Sequence, residues 1–247
     1  MNKKKILLLG GHGMLGSALF LSFLDNTDKF IIKATVRDNK KLPYKKKGHQ
    51  SHLINNCDVS NFNQIEKIID NYKPNYVINC IGITNKKVSR NSNHYIFKIN
   101  SFLPIYLSQL SAIKNFKFIH ISTDCVFEGK EKLYFEDSFK TAKDIYGISK
   151  SLGEEIDHNK NSLILRTSII GHELKKKEGL LEWFLSQKKV SGYHNVFYSG
   201  VTTIELSKII IKIIKSKNIY GLYQISSKKI SKLKLLHLIN KIYNLKI

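Results

Sequence analysis

Short aliphatic runs and helical periodicities alternate along the first two-thirds of this 247-residue chain. Lys4 to Gly10 is an aliphatic run ending in glycines, the pattern of a buried strand, and from Met14 to Leu24 apolar residues recur at helical spacing. Phe30 to Val36 is a second β-rich run, and Cys57 and Asp58 end a third. Phe62 to Tyr72 repeats as a helix that Pro74 closes, and Tyr76 to Gly82 reads as a fourth strand. A helix over Tyr95 to Ile113 leads into a strand at Phe116 to Ser122. A helix over Thr141 to Asp157 leads into another at Ser162 to Arg166.

Strands that alternate with helices in this way predict a parallel sheet covered on both faces, an α/β doubly wound fold of the Rossmann type. After Gly171 the rhythm changes: a helix at Gly179 to Ser191, a strand at Val196 to Ser199, a helix at Thr203 to Lys217, a strand at Gly221 to Ser226 and a helix at Ser231 to Tyr243. Residues 1–170 therefore form the main domain. Residues 171–247 form a small C-terminal portion, with some segments returning to the main sheet.

Composition narrows the class. Hydrophobic residues, 42% of the chain, are spread throughout, with no low-complexity tract, so a packed globular unit is expected. Lys3, Lys4 and Lys5 before Ile6 to Leu9 mimic the start of a signal peptide, but the apolar run is too short. No stretch reaches the roughly 20 apolar residues of a membrane span, so a cytoplasmic protein with no membrane partner is expected. Cys57, Cys80 and Cys125 are odd in number and lack metal-ligand spacing, which indicates neither a disulfide framework nor a metal site. The net charge of +22 raises nucleic acid as a partner. The lysines are dispersed rather than gathered on one arm, and they accompany a general excess of Ile and Asn. An anionic small substrate is the better expectation.

The chemistry begins at the glycine run GGHGMLG, Gly10 to Gly16, where the first strand turns into the first helix. Glycines at this spacing permit a tight turn, let the backbone approach a pyrophosphate and let helix pack on strand; the helix N-terminus adds amide donors. A lone glycine pattern is weak and also describes a plain turn. Its place after the first strand favours a dinucleotide seat that includes Gly10, Gly13, Met14, Leu15 and Gly16. Arg37, at the end of the second strand where an NAD site usually carries an acid, suits a 2′-phosphate and favours NADP(H), with NAD(H) possible. Asp38, next in sequence, is an alternative ribose ligand. Asp58 and Val59 are placed to border the adenine, and Cys80, Ile81 and Gly82 the ribose.

Two further segments add catalytic groups: Ser122-Thr123-Asp124 at the end of a central strand, and Tyr146 followed four residues later by Lys150 in a helix. That spacing puts the phenol and the ammonium on one helical face. A neighbouring ammonium is expected to lower the Tyr146 pKa, so that the phenol gives and takes a proton near neutrality. Thr123 would hold a substrate carbonyl while Tyr146 protonates it. Tyr-x-x-x-Lys alone is common by chance; three motifs in this order are not.

Together the segments GGHGMLG (10–16), NCIGIT (79–84), STDCVFEG (122–129), YGISKSLGE (146–154) and LRTSIIG (165–171) resemble the extended short-chain dehydrogenase/reductases, most closely the dTDP-4-dehydrorhamnose reductase group. The resemblance implies an NAD(P)H-dependent reductase of a nucleotide-activated 4-keto-6-deoxy sugar for surface polysaccharide precursors. Thr123, Tyr146 and Lys150 would be its catalytic set and a nucleotide sugar its partner, with a homodimer possible. It implies that Tyr146 and Lys150 also touch the cofactor, and that Thr84, Asp124, Cys125, Arg166, Trp183 and Asn195 face the substrate. Trp183 also fits a core position, and Thr202 a helix cap.

The related dehydratases carry Thr-Asp-Glu where this chain has Thr123-Asp124-Cys125; without the second carboxylate, reduction is favoured over elimination. An epimerase of the same superfamily and a non-catalytic, NAD(P)-binding regulatory protein remain alternatives. Cys125 stands where the family commonly has Tyr. The chain ends at Ile247, earlier than the family pattern, which implies that part of the substrate cap is missing.

Overall fold

The structure, a computed structural model, describes residues 3–37, 48–131, 133–156, 160–174, 178–216 and 219–245. Asp38, and the expected helix ends at Asp157 and Lys217, lie outside the described residues.

Its centre is a seven-stranded sheet of β1 (Lys4–Leu9), β2 (Phe30–Thr35), β3 (Leu53–Ile54), β4 (Tyr76–Asn79), β5 (Lys117–Thr123), β6 (Ser162–Thr167) and β10 (Gly221–Ile225), in the order β10-β6-β5-β4-β1-β2-β3. Every pairing in it is parallel. The chain starts at β1, third from one edge, winds outward to β3, then returns past β1 to β4 and winds the other way. This is the Rossmann arrangement expected from the alternation, and its reversal between β1 and β4 leaves a crevice at the strands' C-terminal ends.

Alternate side chains of one strand feed two cores. Ile6 and Leu8 of β1 pack with Leu19, Phe20 and Phe23 of α1 (Met14–Leu24) and with Leu206, Ile210 and Ile214 of α8 (Thr203–Lys215). Leu7 and Leu9 pack on the other face with Ile65 and Ile69 of α2 (Phe62–Tyr72) and Leu103 and Leu107 of α5 (Leu103–Ile113). A third cluster joins Leu181 and Phe184 of α7 (Leu180–Leu185) to Leu236 and Ile239 of α9 (Lys232–Ile242). Thus α8 and β10, late in the chain, complete the main sheet and its cover, while α7 and α9 pack together outside it.

Several elements are shorter than their patterns predict. The third strand does not reach Cys57 and Asp58, because Asn56 takes a left-handed φ of 54° and turns the chain out of the sheet. The long helix expected over Tyr95 to Ile113 is α4 (Asn93–Phe97), a π-helical turn (Lys98–Phe102) and α5, preceded by the short α3 (Asn85–Val88). Pro104, in the first turn of α5, has no amide hydrogen to give the Asn100 carbonyl, and the widened turn sits where that bond is missing. The helix carrying Tyr146 is α6 (Ile145–Leu152): Asp144 caps it by accepting from Gly147 N at 2.9 Å, while Thr141 and Ala142 donate instead to the Val126 carbonyl.

Candidate active site

At the β1–β4 crevice a groove of about 410 Å³ runs along the C-terminal edge of the sheet. Of the residues expected around a dinucleotide, Gly10, Gly13, Met14, Arg37, Val59, Cys80, Ile81 and Gly82 line it. Gly10 leaves β1 at φ 91°, a conformation that side chains disfavour. At Gly16 a Cβ would collide with the Gly10 carbonyl oxygen, so this glycine seats α1 against the turn. No acidic residue occupies the first turn of α1, which leaves its amides and positive end free to attract an anion. These are the features a pyrophosphate requires, and the groove fits a dinucleotide.

Five of the expected residues are outside its lining: Tyr146 and Lys150, described below, and three others. Leu15 is buried in the core beneath the turn. Gly16 acts through packing rather than as part of the lining. The Asp58 carboxylate accepts from the Ser60 amide at 3.0 Å and its hydroxyl at 2.9 Å, bonds that hold it below the usual carboxylate range; Cys57 and Val59 line the groove instead. The sequence pattern missed Lys87, Asn91, Tyr95 and Glu173, which line the groove from segments with no recognisable motif. Arg37 Nη2 donates to the Tyr95 hydroxyl at 3.3 Å, which ties the guanidinium to α4.

The proton-transfer candidates converge beside this groove. Thr123 ends β5; its Oγ1 donates to Asp124 Oδ1 at 3.2 Å and accepts from Cys125 N at 3.1 Å, and the Tyr146 hydroxyl lies beside it. Burial pushes the Tyr146 phenol well above its ordinary pKa; the neighbouring Thr123 hydroxyl opposes this, and Asp124 and Asp144 reinforce it. This corrects the expectation that Lys150 lowers it. The Lys150 ammonium is instead destabilised by its own burial, which brings its pKa down to about 8 against the pull of Glu154. Lys150 Nζ donates to the Ile121 carbonyl at 2.8 Å and lies 3.2 Å from His120 Nε2.

The expected substrate residues divide. Asp124, Cys125 and Thr84 are exposed near the ends of β5 and β4. Arg166 is buried: its guanidinium bonds both Glu154 carboxylate oxygens at 2.8 to 3.1 Å and the Glu136 carbonyl at 3.1 Å, so it faces inward rather than towards a substrate. Ser122 Oγ also donates to Glu154, at 2.5 Å. Trp183 and Asn195 are exposed and outside the groove lining. Thr202 caps α8, accepting from Glu205 N at 3.1 Å. Tyr198, which no motif marked, is brought close by pairing of β7 (Ile169–Ile170) with β9 (Val201–Thr202). It lies beside Ser168 and within electrostatic reach of Asp124.

Comparison with known proteins places this geometry. The chain is 27% identical over 167 residues to the dTDP-4-dehydrorhamnose reductase of Aggregatibacter actinomycetemcomitans, covering 66% of this chain and 51% of that protein. It is 22% identical over 175 residues to methionine adenosyltransferase 2 subunit beta of Xenopus tropicalis, covering 70% of this chain and 49% of that one. The chain thus spans about half the length of these curated relatives. The crystal structure of dTDP-4-dehydrorhamnose reductase from Bacillus anthracis str. Ames in complex with NADP superposes with a TM-score of 0.80 at 23% identity, covering 100% of this chain and 83% of that one. The profile of the RmlD substrate binding domain matches residues 4–244, nearly the whole chain, and the protein belongs to that family.

Proposed function

We propose that this chain is an NADPH-dependent reductase of a nucleotide-activated 4-keto-6-deoxy sugar, working in surface polysaccharide precursor synthesis, with NADH as a possible second cofactor. The observation that carries this reading is the Tyr146 hydroxyl beside Thr123, with Lys150 one turn along α6, next to a groove built for a dinucleotide. The bound dinucleotide would supply the hydride.

In this reading the α1 amides and the glycine turn hold the pyrophosphate, and Arg37 holds the 2′-phosphate. Thr123 orients the sugar carbonyl, and Tyr146, whose raised pKa keeps it protonated, gives its proton to the carbonyl oxygen. Residues 1–170 bind the cofactor and residues 171–247 supply the substrate portion, in a cytoplasmic enzyme able to form a homodimer. Asp124, Cys125 and Thr84 are the substrate contacts that the exposed rim favours. The net charge of +22 suits an anionic nucleotide sugar.

The test mixes the protein with NADPH or NADH and a panel of dTDP- and UDP-linked 4-keto-6-deoxy sugars, following the nicotinamide absorbance. Oxidation with at least one sugar supports the reading. Cofactor binding without oxidation by any of them sinks it and favours a subunit role, which the likeness to an adenosyltransferase subunit makes the second reading.

A further inference from the structure

A buried chain of hydrogen bonds runs from the end of β4 through β5 to Lys150. Ile81 N donates to Asn79 Oδ1 at 3.0 Å. A peptide N–H can only donate, so the Asn79 amide oxygen must face it, which leaves the amide nitrogen facing His120 Nδ1 at 3.3 Å. Nδ1 is therefore the acceptor. Burial, reinforced by Lys150, holds His120 well below the ordinary histidine range, so the ring is neutral and its single proton sits on Nε2. That N–H points at Lys150 Nζ, 3.2 Å away, where the only acceptor is the lone pair of an uncharged amine. An ammonium there would set N–H against N–H. Asn79 and His120 are fully buried and Lys150 is 3% exposed, which limits the help water can give.

We propose that Asn79 and His120 are positioning residues for Lys150: they lock the imidazole as the Nε2–H tautomer, whose bond is complete only when Lys150 is a free amine, so that protonating Lys150 breaks a buried hydrogen bond.

The other groups facing Lys150 do not cancel this. Glu154, just past the end of α6, favours the ammonium, but its carboxylate is shared with Arg166 of β6 and Ser122 of β5. Cys80, just beyond β4, has its thiol pushed far up by burial and carries no charge. Tyr146, on the same helix, is a neutral phenol near neutrality. Under the reductase reading, on which this step rests, Tyr146 gives its proton to the carbonyl oxygen and becomes a phenolate. The Lys150 ammonium then gives a proton to restore the phenol and, as a free amine, regains the His120 bond.

Two measurements test the proposal. In the first, ring-nitrogen NMR of the 15N-histidine-labelled protein should find His120 neutral, protonated on Nε2 and unprotonated on Nδ1, from about pH 5 to about pH 9. Asn79→Asp places a carboxylate oxygen at Nδ1 and should move the proton there. A wild-type Nδ1–H tautomer, or a charged ring, overturns the proposal whether or not the protein proves to be a reductase, as does an Asn79→Asp ring that keeps its proton on Nε2. In the second, the wild-type kcat should fall as pH rises through about 8. In His120→Gln, whose amide oxygen accepts from an ammonium, that fall should move up by about one pH unit. A lower kcat with the fall unmoved would show a merely structural role and overturn it.

Discussion

Arg166 and Glu154 form a buried, two-pronged ion pair, with Nη2 2.8 Å from Oε2 and Nε 3.0 Å from Oε1. Both side chains are nearly sealed from solvent, at 3% and 1% exposure. Removing one partner strands the other charge in a low dielectric. Arg166→Met should therefore lower unfolding stability by about 3–5 kcal/mol, read from urea denaturation. Unchanged stability with a raised KM would return Arg166 to the substrate contacts.

Gly16→Ala tests the seat of the helix. Its new Cβ meets the Gly10 carbonyl, so α1 must shift away from the turn that aims its amides. NADPH affinity, followed by nicotinamide fluorescence, should fall by at least about tenfold, or about 1.4 kcal/mol. Wild-type affinity would mean that the pyrophosphate does not sit there.

Arg37 sits on the groove with Tyr95 as its tether. Arg37→Ala should weaken NADPH binding far more than NADH binding, because only the 2′-phosphate needs the guanidinium. Tyr95→Phe, which removes only the tether, should have a smaller effect in the same direction. Equal losses for the two cofactors in Arg37→Ala would withdraw the preference for NADPH.

Lys150 also gives a pH signature in stability. Its pKa falls from 10.5 to about 8 on folding, mainly through burial. Below about 8 both states hold the proton and the burial penalty is complete. From about 8 to 10.5 the unfolded chain binds more protons, so stability from this group rises with pH, by about 3 kcal/mol in all. Urea unfolding at about pH 7.5 and about pH 9.5 should show the rise in wild type relative to Lys150→Met. A wild-type change no larger than the variant's would show that Lys150 titrates normally.

The fold was legible because its strands are short aliphatic runs and its helices carry long apolar stripes: Ile6 to Leu9 and Phe62 to Tyr72 declare themselves. The breaks were not. Asn56 turns left-handed, and Asn79 and Asn100 bond the backbone just past β4 through their side chains, events that depend on tertiary partners rather than periodicity. Motif spacing singled out the glycine turn, Thr123, Tyr146 and Lys150 as candidates. It could not show that Tyr95 reaches Arg37, that Arg166 turns inward to Glu154, or that burial and nearby carboxylates raise the Tyr146 pKa. Each of these depends on which strands and helices lie side by side.

Under the proposed function, Tyr146 gives the proton in a hydride-transfer reaction. The most direct measurement compares wild type with Tyr146→Phe, recording NADPH binding by fluorescence and NADPH oxidation with the best sugar of the panel. The expected result is binding close to wild type with turnover reduced by at least about a hundredfold, the scale of a lost general acid. Turnover at the wild-type rate would contradict the claim and show that another group supplies the proton.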